Sequence, residues 1–145
     1  MYNLEDTPLN SFINLRELLS YKVNRESKTD FLTFVRFMAP FLVSDFRMGK
    51  HIEIISNKLK ELEEGTIKRL MVFLPPRSSK SVICSKLFPA WYIGRNPEHE
   101  ILTVSHSDQL SSDFGRSVRD IVNTEEFQKI FSGVQLRSDV RAAGK

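Results

Sequence analysis

The chain is poor in cysteine, with Cys84 the only one among its 145 residues. That excludes an internal disulfide and any cysteine-based metal cluster, and it fits a reducing compartment. Histidine is scarce as well: His51, His99 and His106 show no ligand spacing. Long hydrophobic runs are missing. The most apolar stretch, Phe31 to Val43, is interrupted by Arg36 and Pro40 and falls short of the ~20 residues that a membrane span needs. The first ten residues, MYNLEDTPLN, have neither the positive flank nor the apolar core of a secretory signal, so the expected location is the cytoplasm in which the chain is made. Repeats, low-complexity tracts and Gly/Ser linkers are absent too.

What is present is a globular composition, 41% hydrophobic and 27% charged, long enough for one domain with a real core. The net charge of +3 is too small by itself to indicate nucleic acid. Its distribution is uneven: residues 1–67 hold 9 basic and 10 acidic side chains, residues 68–145 hold 12 and 8. The positive excess fits either a surface facing a polyanion or ordinary solvation.

Hydrophobic spacing predicts an N-terminal helical lead-in over residues 1–50. In Ser11 to Tyr21, Phe12, Leu15, Leu18 and Leu19 share one face, and a second helix is expected from Asp30 to Met38, ending before Pro40. These two can pack on each other. A surface helix is expected from His51 to Glu64, with Ile52, Ile55, Leu59 and Leu62 inward and Gly65 at its C-terminal cap. Lys68–Pro75 and Glu100–His106 read as short strands buried on both faces. Between them, Val82, Ile83, Leu87, Ala90 and Trp91 suit a helix that Pro89 should end or kink. Residues Ser107–Val122 suit a helix capped by Ser107, in which Gly115 is expected to permit a close contact, and TEEFQKIF suggests one more. Strand, loop, helix, strand, helix is the order of an α/β unit with parallel strands, whose ligands bind beyond the carboxyl ends of the strands.

The segment LMVFLPPRSSKSVICSKL, Leu70–Leu87, lies at such a place. A phosphate loop needs converging backbone N–H groups, a helix N-terminus, and a lysine followed by a hydroxyl residue. Lys80 and Ser81 supply that last pair. Aligned on Lys80, the pattern G-x-x-x-x-G-K-[ST] puts Leu74 and Ser79 where glycines are expected. Pro75 and Pro76 stiffen the entry but donate no N–H, so the cradle falls to Arg77 through Ser81, with the Arg77 guanidinium suited to a bidentate phosphate contact. Ser79 carries a Cβ into a turn that favours glycine. Without more context, Lys-Ser at a helix start is also an ordinary solvated terminus.

GTIKRLMVFLPPRSSKS, then FPAWYIGRNP, then ILTVSHSDQLSSDFGRSVRDIV together resemble the N-terminal ATPase domain of the large subunit of tailed-phage terminase, over about residues 51 to 131. That family carries a deviant Pro-Pro-Arg-x-x-Lys-Ser phosphate loop. The resemblance implies a P-loop NTPase-type parallel sheet flanked by helices, incomplete here, with residues 51–145 as the N-terminal portion of the ATPase domain. It implies ATP held by Pro76, Arg77, Ser78, Ser79, Lys80 and Ser81. Lys80 would contact the β and γ phosphates, Arg77 would stand near the γ phosphate, and Ser81 would hold Mg²⁺. Lys80 and Arg77 would be the catalytic pair. Implied partners are double-stranded viral DNA, the portal protein, the terminase small subunit and further copies in a ring, in the cytoplasm of a bacterial host and without a membrane. The Walker B strand and the nuclease domain would lie beyond Lys145, so this chain alone is expected to bind nucleotide weakly and scarcely hydrolyse it.

Two other readings compete. One is a non-catalytic remnant that binds DNA or a packaging partner; the other is a different P-loop enzyme, helicase-like or kinase-like. Arg116 and Arg119 suit either a DNA or subunit contact or plain solvation, and His106, flanked by Ser105 and Ser107, suits either a substrate contact or helix capping. His51 and Trp91 read as packing residues and Cys84 as a small core residue.

Overall fold

The computed structural model describes residues 8–136, with side chains from Asn14 onward. Six α-helices and one π-helix follow one another: α1 (Pro8–Thr29), α2 (Phe31–Leu42), α3 (Lys50–Glu63), the π-helix (Val82–Leu87), α4 (Phe88–Arg95), α5 (Asp108–Val122) and α6 (Glu125–Ile130). There is no strand among the described residues. The expected α/β fold with a parallel sheet is therefore wrong.

The reason lies in the two runs read as strands. A short apolar run has the same composition whether it is buried in a sheet or laid as an extended cover over helices. Leu70, Val72 and Leu74 pack against the core, but Met71 and Phe73 between them are 79% and 80% exposed. Every residue from Glu98 to Val104 is exposed. Neither run takes part in a backbone ladder, and a strand exists only with a neighbour to pair with.

The core is built by helices of ordinary amphipathic pattern. In α2, Phe31, Phe34, Val35, Met38 and Ala39 are fully buried at i, i+3, i+4, i+7 and i+8. Asp30 starts this helix: its carboxylate accepts from the Thr33 N–H at 2.8 Å and from the Thr33 hydroxyl at 2.7 Å. The helix passes through Pro40 to Leu42 instead of stopping before it. Both Pro40 and Arg36, whose carbonyl loses its donor, are exposed, so water can replace the missing bond. From α3 come Ile52, Ile55 and Leu59, and that helix ends at Gly65 with φ +76°, as the spacing predicted.

Aromatic rings fill the centre. Trp91 is wholly buried, its ring centroid 5.1 Å from that of Phe31, and its indole N–H donates to the Ser27 carbonyl at 2.8 Å. Phe34 meets Phe127 edge-on at 6.2 Å and lies 6.1 Å from Phe131. Ser107 and Thr124 cap α5 and α6 by accepting from the Leu110 and Phe127 N–H groups. Gly115 does not serve a close contact: a Cβ there would meet nothing within 4 Å. The apolar face expected on α1 is also unpacked, with Leu15, Leu18 and Leu19 each more than half exposed; the Phe12 side chain lies outside the described residues. At 22 residues, or about 33 Å, α1 outruns the core it is meant to cover.

Candidate functional site: the Pro75–Val82 loop

Two prolines stop the extended segment, and a tight turn then delivers the chain into the helix that begins at Lys80. The Ser78 hydroxyl closes this turn by donating to the Pro75 carbonyl at 2.7 Å. Arg77 and Ser79 both adopt left-handed backbone conformations, φ +61° and +60°, and they are the only non-glycine residues to do so among those described. Such a conformation costs a residue with a Cβ about 1–2 kcal/mol. Ser79 thus occupies the conformation for which its alignment position normally carries glycine. Left-handed residues in a tight turn can direct neighbouring N–H groups toward one concave side, as in an anion-binding nest.

The loop encloses an open cleft of about 370 Å³ lined by residues 74–82. All six residues expected at a phosphate site, Pro76, Arg77, Ser78, Ser79, Lys80 and Ser81, therefore share one concavity. Leu74, Pro75 and Val82 also line it; they were not singled out in the sequence because apolar residues and prolines carry no ligand signature. Among the described residues, neither the Arg77 nor the Lys80 side chain takes part in a hydrogen bond or ion pair. Nor, among the described residues, do the N–H groups of Ser79, Lys80 and Ser81 find a backbone acceptor outside a helix. No acidic residue lines the cleft. The local charge is uncompensated and positive.

Behind the loop the helix widens into π form over Val82–Leu87, where the Phe88 N–H reaches back five residues to the Ile83 carbonyl. Pro89, which has no N–H to give, sits buried just after it. Cys84 lies in this stretch. Burial pushes its thiol up from the ordinary range, opposed by the Lys80 charge, so the sulfur stays protonated at neutral pH.

Other sequence candidates fall elsewhere. His106 is exposed and Ser107 is the α5 cap; neither lines the cleft. Arg116 is engaged by Asp113 at 3.1 Å on the surface of α5. Trp91 is a core residue, and no group of three His, Cys, Asp or Glu side chains suited to a metal occurs among the described residues. No helix among them is long and apolar enough to cross a membrane. No protein-family model, curated protein or solved structure matches the chain.

Proposed function

We propose that the Pro75–Val82 loop binds the phosphates of a nucleotide, and that the chain serves a viral DNA-packaging motor of the terminase large-subunit kind. The observation that carries the first half is the conjunction in one cleft of two left-handed residues, N–H groups at Ser79–Ser81 that find no backbone acceptor outside a helix among the described residues, and two cations with no carboxylate partner. The left-handed backbone of Arg77 and Ser79 is costly, and an anion held by these N–H groups and by the two cations would offset that cost. The second half rests on the sequence resemblance.

In this reading Lys80 and Arg77 hold the β and γ phosphates of ATP, with the backbone of Ser78 and Ser79 around them. The donor set fits polyphosphate. It fits Mg²⁺ only together with the nucleotide, because the cleft offers serine hydroxyls, Ser81 Oγ among them, and no carboxylate. Mg²⁺ so bound neutralises phosphate charge. Activation of an attacking water requires a carboxylate that residues 74–82 do not contain. Double-stranded DNA, the portal protein, the terminase small subunit and ring assembly in the host cytoplasm belong to the packaging reading.

The test is nucleotide binding by the intact chain, followed by titration calorimetry with ATP and Mg²⁺. Lys80→Ala and Arg77→Ala should each weaken binding by tenfold or more. If Lys80→Ala binds ATP as the parent does, the loop assignment fails. Duplex-DNA binding that falls steeply with salt and ignores ATP would instead select the non-catalytic module.

A further inference from the structure

The Pro75–Val82 cleft is chemically one-sided. Its wall is a single continuous stretch, residues 74–82, so every group that a ligand meets there belongs to the sequence LPPRSSKSV. Leu74, Pro75, Pro76 and Val82 have side chains with no hydrogen-bonding atom. The guanidinium of Arg77, the ammonium of Lys80 and the backbone N–H groups only donate. Two of the carbonyls along the stretch are already occupied: that of Pro75 accepts from the Ser78 hydroxyl at 2.7 Å, and that of Ser79 from the Ile83 N–H at 3.0 Å. The serine hydroxyls rotate to donate or to accept, so they do not tell one base edge from another.

Reading a nucleobase takes more than this. It takes a planar side chain to stack on, and donors and acceptors fixed against the base edge. Among the described residues no aromatic ring and no side-chain amide lines the cleft. The aromatic rings nearest in sequence are committed elsewhere, Phe73 to a separate groove beside α3 and Phe88 to an edge-on contact with Phe31 at 5.4 Å. Asn96 is the only Asn or Gln between residues 68 and 104, and its amide donates to Glu63 and to the Tyr92 carbonyl. Strong discrimination between ligands comes from fixed polar groups that the wrong ligand leaves unpaired. The cleft fixes none toward a base.

What it does offer is charge. Two cations without a carboxylate partner attract a ligand in proportion to its negative charge, and charge on a nucleotide grows with the number of phosphoryl groups and not with the base. The cleft is open to water, so salt screens the attraction.

Taking the loop to bind phosphate, the reading on which this step rests, we infer that the cleft recognises the polyphosphate chain itself and is indifferent to the nucleoside attached to it. Titration calorimetry of the full 145-residue chain at one fixed ionic strength compares ATP, GTP, CTP and inorganic triphosphate, with ADP, AMP and adenosine as the charge series. The four triphosphates should bind within about threefold of one another. ADP should bind more weakly, AMP more weakly again, and adenosine not at all. Raising the salt should weaken all four triphosphates in parallel, and Lys80→Ala should weaken all four by about tenfold or more, with Trp91 emission unchanged as the check on folding. ATP binding about tenfold or more tighter than both GTP and inorganic triphosphate, through a site that Lys80→Ala disables, would overturn the inference and leave the loop assignment standing. Adenosine binding as well as ATP would overturn it too. Binding of all four triphosphates that ignores Lys80→Ala, or no binding by any of them, would instead remove the loop assignment and this inference with it.

Discussion

Two helical glycines should respond to the same substitution in opposite directions. Gly115 lies within α5, and a methyl group there meets no atom within 4 Å. Gly115→Ala therefore collects only the helix preference of alanine over glycine, a gain of about 1 kcal/mol. Gly94 lies near the end of α4, and its methyl group would sit 2.6, 2.7 and 2.8 Å from Cδ2, Cε2 and Cγ of Phe131. To restore a normal contact of about 3.5–4 Å the ring must retreat by about 1 Å. It has little room to do so: Phe131 is buried, with the Phe127 centroid 5.1 Å and the Phe34 centroid 6.1 Å away. Overpacking of this kind costs about 1–3 kcal/mol, against a helix gain of at most about 1 kcal/mol. Gly94→Ala should thus come out between equal to the parent and about 3 kcal/mol less stable, and the two variants should differ by at least about 1 kcal/mol. Urea denaturation followed by Trp91 emission and by helical dichroism measures both. Coincident transitions with unchanged slopes, and Gly94→Ala as stable as Gly115→Ala, would refute the packing of Phe131 on α4.

The N-terminal cap of α2 makes a pH-dependent prediction. Burial opposes ionisation of Asp30, but the hydrogen bonds from Thr33 and the charge of Lys60 outweigh it and hold the carboxyl below its usual value. A carboxylate with a lowered native pKa contributes stability that is present above its unfolded value of about 4 and lost as pH falls through the native one. Asp30→Ala should cost about 1 kcal/mol at neutral pH, and the urea-midpoint gap to the parent should narrow on acidification below pH ~4; a gap that stays constant down to pH ~2 would contradict the assignment. In the loop, Ser79→Gly should raise the melting temperature by the equivalent of a few tenths to about 1 kcal/mol, because it relieves a left-handed residue while adding chain entropy to the unfolded state. Ser79→Ala keeps the Cβ and should show no such gain.

Helices were legible in the sequence wherever period and punctuation agreed. Ser107 and Gly65 stand at the ends of α5 and α3 as their chemistry requires, and the buried faces of α2 and α3 follow from spacing alone. Leu70–Leu74 was misread because composition records how apolar a segment is and not which of its faces finds a neighbour. Gly115 was misread for a related reason, since it has no partner at all, and nothing near Gly94 in the sequence announces Phe131. Within the site, Lys80, Ser81 and the strain at Ser79 could be anticipated from a motif with its glycines missing. The left-handed turn at Arg77 could not, since arginine has no preference for it, and the π-helix has no sequence mark beyond Pro89.

Trp91 binds the far end of α1 to the rest of the molecule through one hydrogen bond to the Ser27 carbonyl, while the residues from Asn14 to Lys22 are all exposed. A single unbroken helix therefore spans two regimes of solvent exchange. Amides around Ser27, beside that buried contact, should be the better protected end of α1. Those toward Asn14 need only fray. The gradient of protection along α1 consequently measures how far the cooperative unit extends, within one element and without any boundary in its backbone.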